Sequence, residues 1–125
     1  MNLFALSAAG LLAVGFGLHV VLGRAIHQEM QEALDGFPKA LDTVTWHAVS
    51  LWLSLHLVLA LAAVYCAHPW IVGALVLGAI HALSLGALCL SISLKLCKSW
   101  TAMRQSYLFF MIAGALAGAA VTVID

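Results

Sequence analysis

The stretch WHAVSLWLSLHLVLALAAVYCAHPW, Trp46 to Trp70, decides the fold. Up to Ala67 it carries no Asp, Glu, Lys or Arg, and about 20 such residues let a helix cross the hydrocarbon core. His68-Pro69 then intervenes and a second apolar run begins at Trp70. A turn so short makes the two flanking spans antiparallel hairpin partners. Pro69 suits the first turn of the second helix, where its missing N–H is not needed. One feature resists this reading. The first span carries two imidazoles, His47 and His56, where lipid offers no hydrogen-bond partner.

Two further runs share the same character, so four spans are expected, over 2–23, 44–67, 70–94 and 105–124, none with a charged residue inside it. The expectation is a single all-α domain over 1–125, a membrane-embedded four-helix up-and-down bundle. The first run lacks a basic start and is as long as a full span, so it is not a cleavable signal. Composition agrees, since 65% of the 125 residues are hydrophobic and 8% charged, too apolar for a small soluble domain to conceal. Five basic residues balance five acidic ones, leaving no basic stripe for nucleic acid. No GxGxxG or Walker loop is present, so nucleotide is not an expected partner. Cys66, Cys89 and Cys97 show no CxxC spacing and read as small apolar residues. Cys66 and Cys97 fall at opposite membrane faces and cannot pair within one chain.

The connections set the orientation. Arg24, Lys39, Lys95, Lys98 and Arg104 all lie in the first and third connections. The positive-inside rule makes those two cytoplasmic and puts both termini outside, as in a multi-pass protein of the bacterial inner membrane. Trp46 and Trp100 then mark the inner interface, Tyr65 and Trp70 the outer one. The connection 24–43 has Ile26, Met30, Leu34, Phe37 and Leu41 near helical period and reads as an amphipathic interfacial segment broken near Gly36-Phe37-Pro38. Its two basic residues stand against four acidic ones, the wrong sign for anionic headgroups, so a partner-facing or solvated face is expected. Small residues at four-residue spacing, Gly114 and Gly118 in span four and Ala9, Ala13 and Gly17 in span one, predict close helix packing within the bundle.

Depth and angle sort the histidines. His19 and His47 share a level near the cytoplasmic face, His56 and His81 a level near the middle, while His27 and His68 fall in solvated connections. Nine residues at about 100° each put His47 and His56 on opposite faces of span two. A neutral imidazole can act as polar glue, donating to a carbonyl or serine of the next helix. Ionisable groups within spans also mark ligand and proton sites. Gly15 and Gly23 flank His19 and leave that face open for a flat cofactor or a close helix, and Arg24 is placed to hold a haem propionate. His19 and His47 are therefore the candidate ligands of haem b or of a transition metal, with His56 and His81 a second candidate pair better suited to a proton or substrate path. No acidic residue lies at membrane depth, so no triad can be composed and no catalytic residue is assigned.

The segments FGLHVVLGR and VTWHAVSLW, separated by an acidic connection, resemble a class of small bacterial four-span membrane proteins. In that class a histidine before glycine ends span one and a Trp-His pair opens span two. The resemblance covers roughly the first half of the chain and implies attention to His19, Trp46 and His47. It implies no activity. Where the class often has paired glycines after that histidine, only Gly23 appears in this chain. Three functions stay open: a ligand-binding or redox protein using His19 and His47, a non-catalytic accessory or assembly subunit of a larger membrane complex or homo-oligomer, and a small proton or metal transporter.

Overall fold

The computed structural model describes residues 2–100, 103 and 105–124. Arg104, one of the basic residues that set the expected orientation, lies outside them. Four helices account for the fold, α1 (Leu3–Ala33), α2 (Gly36–Tyr65), α3 (Pro69–Leu96) and α4 (Gln105–Ile124), with no strand among the described residues. All four are long and apolar enough to cross a membrane, as the all-α four-helix reading requires.

Local chemistry explains the helix starts. The Asn2 side chain accepts from Ala5 N–H at 3.0 Å, capping α1, and its amide donates to Ala119 O at 3.1 Å. That second bond ties the start of α1 to the end of α4, so both sit at one end of the bundle. Gly36 opens α2 at φ +60°, a left-handed conformation that glycine adopts without Cβ strain. Pro69 occupies the first turn of α3, and the His68 ring accepts from Trp70 N–H at 3.4 Å.

One expected element is absent. Residues 24–43 do not form a separate interfacial segment. α1 and α2 run on as continuous rods to a two-residue turn, Leu34-Asp35. The 31 residues of α1 span about 46 Å, well beyond the ~30 Å hydrocarbon core. The helical period of the connection is therefore the continued period of its two flanking helices. The break expected near Gly36-Phe37-Pro38 falls just before it, at Leu34-Asp35, and those three residues open α2.

Packing divides the bundle into two pairs. α2 lies chiefly along α1 and α3 chiefly along α4, with α1 against α4 joining them, while α2 and α3 touch only sparingly. The short turn fixed the antiparallel direction of α2 and α3 but not intimate packing, because closeness depends on what side chains stand between two helices. The core runs through Leu12 of α1, Leu75 of α3, and Ile112 and Leu116 of α4, all fully buried, with Trp52 and Leu53 of α2 against them. The small-residue signals divide. Gly118 receives the Phe4 ring, as expected for packing within the bundle, whereas Gly114 and Gly17 face open space. Gly86 receives the Phe110 ring. Fully buried Ser93 fastens the turn after α3, its hydroxyl donating to Ser99 O and accepting from Met103 N–H at 3.3 Å.

Candidate functional site

Four residues of α1 at four-residue spacing, His19, Gly23, His27 and Gln31, form one ridge that meets α2 along Asp42, Thr43, Trp46 and Ser50. At the far end the Gln31 amide donates to Asp42 Oδ2 at 2.8 Å, to Thr43 Oγ1 at 3.0 Å and to Lys39 O at 3.3 Å. The same Asp42 oxygen lies 2.7 Å from His27 Nδ1. That nitrogen is buried and makes no directed hydrogen bond.

The Trp46 indole fills the middle of this clasp. It stacks on His27 with ring centroids 4.9 Å apart and planes within 9°, and on His19 at 4.0 Å and 25°. Gly23 makes this possible, since a Cβ there would come within 2.7 Å of the indole. Two imidazoles one turn either side of a glycine thus hold an indole lying on bare backbone. His19 completes the clasp. The Ser50 hydroxyl donates to Trp46 O at 2.9 Å, so its oxygen must accept from His19 Nε2–H, also at 2.9 Å. The tautomer of His19 follows from that bond.

The sequence-derived ligand pair is not brought together. His19 faces α2 through Ser50 and Trp46, while the next residue, His47, is exposed on the outside of the helix. Arg24 is exposed as well. The two glycine faces expected to be open are both covered, Gly23 by Trp46 and Gly15 by Leu108, Leu53 and Ile112 at 3.4–3.7 Å. Of the two occupants anticipated at Gly23, a flat cofactor or a close helix, the neighbouring helix is what lies there. His19, His47, Arg24, Gly15 and Gly23 in this arrangement do not fit a bis-histidine haem. Among the described residues no three His, Cys, Asp or Glu side chains cluster in a way that holds a metal ion.

Two residues carry more than their sequence positions suggested. Trp46, expected to mark the interface, is also the centre of the clasp. His27 was expected to be solvated, yet only 17% of its side chain is exposed. The signal that finds both is the His-x3-Gly-x3-His period across the end of the span, which continues to Gln31.

The second pair does meet, through a third residue. His56 is buried and packs on Trp52 at 4.6 Å, and exposed His81 of α3 approaches the same indole edge-on at 5.3 Å. The His56 ring lies over Gly78, the point where α3 offers no side chain. Trp52 joins them from the His56 face of α2, as the helical spacing of the two residues requires. Its place one turn before His56 was the available signal.

The chain matches no family model, no curated protein and no solved structure. Residue geometry therefore carries the functional argument.

Proposed function

We propose that the chain is a non-catalytic accessory subunit that docks onto a larger protein within the membrane. One observation carries this reading, an apolar groove of about 580 Å³ between α3 and α4. Val72, Val76, Ile80 and Leu83 form one wall, Phe110 and Val121 the other, and Gly114 and Ala117 line its α4 side. Small residues let another backbone approach, which is how helices associate when lipid removes the hydrophobic drive between them. The clasp supports the reading from within. The polar side chains of the α1–α2 end bond one another, as they do when their task is to hold two helices together. Only 28–33% of each span is buried inside the bundle, so a large lateral surface remains for a partner. The acidic turn region between α1 and α2 supplies a charged contact outside the bilayer. We further infer an inner-membrane location with the Lys95 and Lys98 end cytoplasmic.

The test fills the groove. A Cβ at Gly114 meets nothing within 4 Å, so Gly114→Leu is expected to leave thermal stability unchanged and to abolish migration with a larger complex on native gels. Native mass spectrometry giving only a sharp monomer for the unmodified chain, with no complex co-purifying, overturns the proposal. A homodimer lost on the same substitution places a second copy in the groove.

A further inference from the structure

We infer that the Trp52–His56–His81 cluster binds a single water molecule in the middle of the membrane, where it joins α2 to α3. Trp52 and His56 are each 8% exposed and lie one turn apart on α2. His56 Nδ1 is 2.9 Å from Trp52 O. A carbonyl only accepts, so Nδ1 bears the ring proton and Nε2 of the neutral ring is left with its lone pair. Nε2 sits over Gly78, where a Cβ would stand 2.7 Å away, so no α3 side chain comes between it and the α3 backbone. The indole N–H of Trp52 is buried and has no partner among the described residues. A bare donor and a bare acceptor thus stand within one pair of packed rings, with the His81 imidazole at 5.3 Å from the indole.

In hydrocarbon no solvent relieves such groups, and chains that cross membranes satisfy them internally or with bound water. Water meets both demands at once and can reach His81 as well. Its oxygen accepts from Trp52 N–H, one hydrogen goes to His56 Nε2 and the other to a ring nitrogen of His81. Three partners is the usual number for a buried water. A metal ion finds only two imidazoles and no carboxylate or thiolate. An anion finds no cationic side chain on this stretch, since residues 40–94, which carry all three rings, contain no Lys or Arg. The water is an isolated bridge and not one link of a wire, because the serine hydroxyls that neighbour these rings in sequence turn back on their own helices. Ser54 donates to Leu51 O at 3.0 Å and Ser84 to Ile80 O at 2.9 Å. The site lies on the sparsely packed α2–α3 seam and gives those helices a polar link that their side chains do not supply directly.

The measurement is proton NMR of the indole N–H groups in lipid nanodiscs, with the Trp52 signal identified by its loss in Trp52→Phe. The expected result is a cross-peak between Trp52 Nε1–H and water despite a depth where other amides contact only acyl protons. His81→Phe keeps the ring packing and removes one of three partners, so the cross-peak is expected to weaken about twofold or more. His81 is exposed, so this variant is expected to fold. Contact of the Trp52 N–H with acyl protons alone, or with the His81 ring protons as an N–H···π bond, overturns the inference. An unchanged water cross-peak in His81→Phe removes His81 from the site and breaks the proposed α2–α3 link.

Discussion

At the scale of single residues, the absence of a side chain at Gly23 does as much as any side chain present. The indole of Trp46 occupies the space where a Cβ would project, and the imidazoles of His19 and His27 hold it from either side. Gly23→Ala therefore displaces a large ring, and a loss of about 1–3 kcal/mol is expected, in the range of other overpacking changes. Thermal unfolding in detergent reads it, with Gly17→Ala, where nothing lies within 4 Å, expected to match the unmodified chain. Asp42 is the other deciding residue of the clasp. Asp42→Ala removes the shortest of the three acceptors around the Gln31 amide and the charge facing His27, and about 1–3 kcal/mol is expected to be lost. Equal stability of Asp42→Ala and the unmodified chain contradicts this account of the clasp. His47→Ala removes an exposed ring with no protein partner among the described residues and is expected to change stability by less than about 0.5 kcal/mol.

At the scale of elements, turns and caps decide where each rod ends. Ser93 bonds the chain that follows α3 at two points while fully buried. Ser93→Ala leaves Ser99 O and Met103 N–H without that hydroxyl, and hydrogen exchange over residues 97–100 and at Met103 is expected to rise while the spans stay protected. Unchanged exchange there shows that the turn is held by other contacts. The elements also show why part of the reading failed. Apolar period located all four helices, since a span must be apolar along its length to lie in lipid. It could not separate an interfacial segment from a helix that simply continues, because both have the same 3.6-residue period. Which of two glycines in Gly114-x3-Gly118 packs inside was equally hidden, since that depends on Phe4, more than 100 residues away in sequence.

At the scale of the whole molecule, four rods form two intimate pairs joined by α1 and α4, with a looser seam between α2 and α3. The charge pattern predicts that the Lys95 and Lys98 end faces the cytoplasm. Two exposed cysteines at opposite ends test this, Cys66 after α2 and Cys97 after α3. An impermeant maleimide added outside sealed cells is expected to modify Cys66 and spare Cys97. The reverse pattern turns the molecule over in the membrane. Number of spans, their all-helical nature and their antiparallel turns were legible from sequence alone, because lipid leaves a spanning backbone only helix or closed barrel and the apolar runs have helix length. The levels of the histidines were legible too, since rise per residue is constant. Azimuth was not. Which way a ring points depends on how one helix rolls against its neighbour, and that roll is set by distant side chains such as Trp46 over Gly23 and His56 over Gly78. So His19 and His47 share a depth and face apart, while Trp52 gathers His56 and His81 into one cluster.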